Sequence, residues 1–322
     1  MCPAKLLRQL PTQNKILAIN DPVFVFSDPG IDDALALAML ARSKSLQMIG
    51  ACGVDGNVSS QIAASNLGGL LKLFGAGETP VFRSSLEDPE HDYPVHVHGK
   101  NGLGNFRIVK PRLQNRGDLS SFLKSKGRFQ ILSLGPLTAV AELLNSAEVT
   151  GNISRIVMMG GGIANGNVTS YAEFNIYSNP EAADIVFSSS VPKVLIPLDV
   201  TEKVILYPED LGVLKRKRSA AAKAISGMLK FYFNFEMKER GFFGGYMHDP
   251  SAVVAMTNPD LFKFRQAIVR VDTTGNTTRG RTVAKFSRSK EANTWVALGV
   301  DAEASRSVIM EGLVDSVTAA KS

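Results

Sequence analysis

The stretch VFVFSDPGIDDALALAML, residues 23–40, decides how the rest of the chain is read. Val23 to Phe26 are β-branched or aromatic, and they are bounded by Pro22 and by the turn residues Asp28-Pro29-Gly30. That pattern predicts a strand that is apolar throughout. Asp32 and Asp33 then open a run of helix formers, where acids suit the positive end of the helix. A strand without polar alternation that turns at once into a helix is the building unit of a parallel sheet covered on both faces.

The unit recurs along the chain. LQMIGACGV, TPVFR, RFQILSLG, ISRIVMMGG and VPKVLIPLDVT read as strands. SSQIAASNLGGLLKLFG, PLTAVAELLNS and NPEAADIVFSSS read as helices between them. Beyond residue 200 the chain turns helical, with SAAAKAISGMLKFYFNFEMKERG the longest candidate. RQAIVRVDTTGNTTRGRTVAKF and NTWVALGVD alternate and carry a Thr-Gly-Asn turn, which suggests a hairpin packed on an edge. The expected fold is α/β: an open, mainly parallel central sheet with helices on both faces and a small C-terminal antiparallel decoration. Residues 1–20 read as an extension and 21–322 as a single catalytic domain.

Bulk properties narrow the function. The chain has 322 residues, 44% hydrophobic and 20% charged, with net charge +6. Its basic residues are scattered except for Lys215-Arg216-Lys217-Arg218, which reads as a solvated helix start rather than a nucleic-acid patch. Two cysteines, Cys2 and Cys52, offer neither a disulfide framework nor metal spacing. No apolar run reaches the ~18 residues of a membrane span, and residues 1–20 lack the apolar core of a secretory signal. A cytosolic address, no membrane and no nucleic-acid partner are therefore expected.

In open parallel sheets ligands sit beyond the carboxyl ends of the strands. Asp28, Asp32 and Asp33 follow the first strand, and Asp55 and Asn57 the second. Thr138, the segment from Met158 to Asn175, and the tripeptide Asp199-Val200-Thr201 follow later strands. A helix N-terminus gives one acid about 0.3–1 kcal/mol, too little to hold three carboxylates in a partly dry cleft. A divalent cation would hold them. An all-oxygen donor set points to calcium or magnesium, and calcium tolerates irregular loop ligands better. The plainer alternative has Asp28 capping the helix and Asp32 and Asp33 in water. His248-Asp249-Pro250 brings a fourth acid and an imidazole, though Asp249 is also a suitable N-cap. His96 and His98 lack the further ligands zinc needs. Glu173 and Asn175, two apart in an extended segment, would project together, as a polyhydroxylated ligand requires. Phe231, Phe233 and Phe235 read as packing residues of a helix face, whereas Tyr246, close to His248, reads as a pocket residue.

The segments SDPGIDDALAL, GVDGN, HGKNGLG, LGPLT, MGGG…GNVTSYAEFN, PLDVT and HDP occur in the order and approximate spacing of the nucleoside hydrolases. The chain resembles the inosine-uridine preferring N-ribohydrolases from about Phe24 to Met256. The dinucleotide-binding glycine fingerprint is absent after the first strand, which sets aside a nicotinamide enzyme. The resemblance implies a calcium ion held by Asp28, Asp33, Asp249 and the main-chain carbonyl of Thr138, with Asp28 also the general base. It implies ribose contacts from Asp32, Asn57, Met159, Asn167, Glu173, Asn175 and Asp249. His248 would lie near the leaving base, where its ordinary pKa suits proton donation at neutral pH, and His98 would flank the base. The substrate would be a small-molecule ribonucleoside and the assembly a homodimer or homotetramer. Where the family often has an acid two residues before Asp28, this chain has Phe26. Two alternatives stand beside this reading: a hydrolase of a related N-riboside, and a nucleoside- or sugar-binding protein on the same scaffold without turnover.

Overall fold

The computed structural model describes residues 19–86, 93–112 and 118–318. The expected extension over residues 1–20 lies almost wholly outside the described residues. The strands are β1 (Val23–Ser27), β2 (Met48–Gly53), β3 (Val81–Arg83), β4 (Phe129–Ser133), β5 (Ile153–Met159), β6 (Lys193–Ile196), β7 (Ile205–Leu206), β8 (Gly245–Tyr246), β9 (Phe262–Val271), β10 (Thr282–Phe286) and β11 (Thr294–Val300). Nine of them form one sheet in the order β10-β9-β11-β6-β5-β4-β1-β2-β3. All pairings from β6 to β3 are parallel.

The sequence signal in β1 has a direct structural cause. Val23 and Val25 enter one apolar cluster, and Phe24 and Phe26 enter another on the opposite face. With side chains alternating across the sheet, a strand buried on both faces has no polar position to spare. Helices Ile31–Ala41, Ser60–Leu73, Ala220–Arg240, His248–Thr257 and Ala302–Thr318 supply the first cluster. Thr138–Leu143 and Pro180–Ser188 supply the second. The helix Ile31–Ala41 is buried almost all round because His248–Thr257 and Ala302–Thr318 pack over it.

The C-terminal antiparallel segment is more integrated than a decoration. β11 pairs in parallel with β6 and antiparallel with β9, so the segment continues the main sheet, and β10 forms its edge. A separate two-stranded sheet, β7 with β8, ties the start of the 205 region to the chain just before His248. Its strands are two residues each, too short to leave a periodic pattern.

Strand order reverses at β1: the chain runs outward through β2 and β3, then crosses to β4 on the other side. This is the topological switch point at which open α/β sheets bind ligands. The register keeps the strand ends level, with Ser27 beside Gly53, Phe26 beside Ser133, Ser133 beside Met158 and Met159 beside Ile196.

Candidate active site

Because the strand ends are level, the residues that follow them share one rim. Asp28 leaves β1, and Asn57 leaves the loop after β2. Asp28 Oδ2 accepts the Asn57 backbone N–H at 2.6 Å, while its Oδ1 is buried with no hydrogen-bond partner. A Cβ at Gly56 or at Gly135 would collide with this carboxylate, so backbone from two neighbouring loops closes around it. Asp33 sits in the first turn of the helix Ile31–Ala41. It accepts Ser27 Oγ–H at 2.6 Å and the Gly30 backbone N–H at 2.9 Å. Asp249 enters from the first turn of His248–Thr257, which packs beside Ile31–Ala41.

Ligand oxygens of Asp32, Asp33 and Asp249 lie within 4.8 Å of one another, all in buried residues. Among the described residues no ion pair reaches these three acids or Asp28. Burial, then the neighbouring Asp33 charge, pushes Asp28 and Asp249 well above the usual carboxylate range. Burial raises Asp32 and Asp33 to about 6 each, in Asp33 with a further push from Asp32. Without a cation, the raised pKa values of these crowded acids favour their protonated forms. A divalent ion would take the place of those protons, and an unpartnered buried oxygen among all-oxygen donors fits a hard one.

The residues expected at a ribose share one cavity of about 500 Å³: Asp32, Asn57, Met159, Asn167, Glu173, Asn175 and Asp249 all line it. Glu173 caps the helix Phe174–Ser178 through the Asn175 and Ile176 N–H groups and also accepts Gly161 N–H at 2.7 Å. Burial still raises it to about 7. Asn175 Nδ2 donates to Leu134 O at 2.8 Å and Met159 O at 3.2 Å, joining the ends of β4 and β5. Thr138 is not on the cavity wall. Its hydroxyl accepts Asn179 Nδ2–H at 3.2 Å, so a part in metal binding would fall to its carbonyl.

His98, His248, Tyr232, Phe235, Glu236 and Arg240 line the same cavity. His98 Nδ1 accepts the Ile31 backbone N–H at 3.1 Å, which fixes it as the acceptor nitrogen. Burial lowers its pKa to about 4. His248 is lowered further, to about 3, by burial first and then by the Arg240 and His98 charges. Burial thus favours the neutral imidazole more strongly than the ordinary pKa does.

Two aromatic assignments change. Tyr246 does not line the cavity: its ring packs against Phe242 at 5.1 Å and His248 at 5.7 Å, with the Arg240 guanidinium 5.0 Å over it. Phe235 does line it, unlike Phe231 and Phe233, which pack as expected, Phe233 in the core and Phe231 beneath Gly104. Tyr232, Glu236 and Arg240 were not singled out from sequence. They stand four residues apart on the 21-residue helix Ala220–Arg240, a spacing that any amphipathic helix shares. Phe26 is buried in the cluster with Phe24, their rings 5.2 Å apart.

The model of the family described as inosine-uridine preferring nucleoside hydrolase matches residues 23–307. Uridine nucleosidase 1 of Arabidopsis thaliana is 36% identical over 271 residues, which is 81% of each chain. The pyrimidine-specific ribonucleoside hydrolase RihA of Salmonella paratyphi B is 32% identical, covering 91% of this chain and 98% of its own. Among solved structures, a purine-preferring ribonucleoside hydrolase from Gardnerella vaginalis superposes with a TM-score of 0.85 at 29% identity, over 93% of this chain and all of that one. With the parallel sheet, the rim of acids and a match over most of the length, the chain belongs to the inosine-uridine preferring nucleoside hydrolases, enzymes that hydrolyse the N-glycosidic bond of ribonucleosides.

Proposed function

We propose that the chain carries out this hydrolysis with Ca²⁺ in its acid cluster and Asp28 as general base. The observation that carries the reading is the buried, partnerless Asp28 Oδ1 beside three further acids that no ion pair reaches among the described residues. Asp28, Asp33, Asp249 and the Thr138 carbonyl would hold the ion, with Asp32 at the ribose. When bound, the ion would supply Lewis acidity, lowering the pKa of a water and polarising sugar hydroxyls.

The chain's own residues do the rest. Asp28 receives a proton as water attacks C1′. The C–N electron pair leaves with the base through an oxocarbenium-like state. Asp32 and Glu173 place negative charge near the sugar, where positive charge develops. Asn57, Asn167 and Asn175 orient it. His248, being neutral, offers the departing base a hydrogen bond rather than a full proton. Buried partners for the ribose hydroxyls imply strong rejection of 2′-deoxynucleosides.

The curated relatives include uridine nucleosidases and a pyrimidine-specific hydrolase, so uridine is the substrate proposed first. The proposal extends to a cytosolic address and to a homodimer or homotetramer, the latter testable by light scattering. The deciding experiment is a reducing-sugar assay on a ribonucleoside panel, with chelator and with calcium added back. Ribose release that stops with chelator and returns with calcium is expected. Release indifferent to exhaustive chelation would overturn the metal, and nucleoside binding without ribose release would favour a binding protein.

A further inference from the structure

A second cavity, of about 830 Å³, shares no lining residue with the first. Its charged residues are Arg42, Lys72, Arg107 and Lys223, and no carboxylate lines it. Among the described residues none of these four cations is held in an ion pair. Arg42 is half-buried, and its Nε is sealed from solvent without a hydrogen-bond partner. Its guanidinium lies against Gly75, at φ +77°, where any Cβ would collide with Nη2. The charge is thus packed in place rather than loose in solvent.

The floor is apolar. Phe106, Ile108 and Val109 cross the helix Ser60–Leu73 at Gly69, where a Cβ would come within 2.7 Å of Ile108 Cδ1. Ala220 and Ala224, in the first turns of Ala220–Arg240, complete it, and that helix N-terminus adds positive potential. The surrounding sequence is one-sided as well. From Leu211 to Phe235 there are Lys215, Arg216, Lys217, Arg218, Lys223 and Lys230 but no acid. The hydrolytic site makes no use of this charge.

Clustered guanidinium and ammonium groups without counter-charge recognise phosphate, and an apolar floor receives a flat body. The volume falls in the range of small-molecule pockets, ~300–1,000 Å³. We propose that this cavity binds a phosphorylated small molecule of the nucleotide class, with its phosphates on Arg42, Lys72, Arg107 and Lys223 and its base on the Phe106–Val109 floor. A half-open pocket with its cations in one place suits such a ligand better than a nucleic-acid strand, which needs an extended basic track.

Two elements are common to both cavities. The helix Ala220–Arg240 lines the basic cavity with Lys223 and the active-site cavity with Tyr232, Phe235, Glu236 and Arg240. The segment from His98 to Val109 likewise runs from one to the other. These elements touch closely: a Cβ at Gly227 would lie 2.6 Å from Phe106, and one at Gly104 would lie 2.8 Å from Phe231. Occupancy is therefore expected to shift the KM for nucleoside. This coupling rests on the proposed hydrolysis, whereas the binding itself does not.

The test is calorimetric titration of the whole protein with ADP and with inorganic pyrophosphate at physiological salt. It compares wild type, the double variant Arg42→Gln/Lys223→Gln, and the control Lys285→Gln on β10. One ADP per chain is expected, weakened about tenfold or more in the double variant and unchanged in the control, with pyrophosphate binding more weakly than ADP. Nucleoside KM should move about twofold or more with saturating ADP in wild type but not in the double variant. Basal hydrolysis by the double variant should match wild type, showing that it folds. Absence of ADP binding, equal affinity in the double variant, displacement of ADP by ribose, or tighter binding of a single-stranded RNA oligonucleotide would each overturn the site. A KM that ignores bound ADP would overturn the coupling.

Discussion

Thr201 Oγ1 lies 2.8 Å from His248 Nδ1, two residues 47 apart in sequence. Thr201 is fully buried at the end of the short helix Leu198–Thr201 that follows β6, and His248 faces the cavity. The hydrogen bond fixes the ring plane, whichever of the two atoms donates. Thr201→Val should lower kcat for uridine about tenfold with little change in KM, since one oriented hydrogen bond is worth roughly 1–1.5 kcal/mol. Thr201→Ser should keep most of the activity. Steady-state kinetics on both variants checks this; equal losses would mean that Thr201 serves packing alone.

The acid cluster makes stability depend on pH in an unusual direction. Asp32 and Asp33 titrate near 6 in the folded chain and Glu173 near 7, all raised by burial. Between the ordinary carboxylate range and these values the folded state binds more protons than the unfolded one. Stability of the metal-free protein therefore falls as pH rises from about 4 to 7. Added calcium should reverse the fall above pH ~6 by binding only the folded form. Thermal melts across that window, with chelator and then with calcium, give the answer. A metal-free Tm that climbs toward neutrality would refute the argument.

Asp28→Asn should lower kcat by about 10³ or more, because a positioned base contributes ~10²–10⁴ and its partners cannot take over the proton. The same change removes one of four crowded acids, so the metal-free protein should melt no lower than wild type. Activity within about tenfold of wild type would remove Asp28 as the base.

The base end of the cavity separates Phe235 from Tyr246. Phe235→Ala should raise KM for uridine several-fold, on the scale of about 1 kcal/mol for a lost aromatic contact. Tyr246→Phe should leave KM nearly unchanged, since the ring stands behind His248 and Arg240 rather than on the wall. The opposite ranking in a KM comparison would return Tyr246 to the pocket.

Far from the rim, Lys193 opens β6 with no exposed surface, its Nζ donating to Ser189 O at 2.6 Å. Burial, with Arg270 nearby, lowers it to about 7. From pH 7 to the ordinary lysine range, the unfolded chain holds a proton that the folded chain has lost. This group therefore makes the fold more stable as pH rises through that window. Lys193→Met should flatten the rise. Melting curves of the two proteins between pH 7 and 9 that run parallel would show that the lysine contributes nothing.

Much of the architecture was legible because local pattern and burial coincide. VFVFS is apolar at every position since both faces of β1 are covered, and the strand occupies the residues the pattern marked. The acids after β1 were legible for a related reason: charge at the end of a buried strand has few structural uses. By contrast, the short pair β7 and β8 left no periodic trace, and the stripe Tyr232, Glu236, Arg240 had the spacing of any amphipathic helix.

The sequence by itself determined the main alternation of strands and helices, the family, and a set of acids, amides and histidines of which most line one cavity. These follow from short-range periodicity and from motifs a few residues long. Tertiary structure alone decided that His248 is neutral, that Phe235 rather than Tyr246 forms the wall, and that four scattered cations surround one cavity without a carboxylate on its wall. Each of these depends on how much water reaches a group and on which distant residues become its neighbours, and no stretch of sequence carries that information until the sheet and helices close around it.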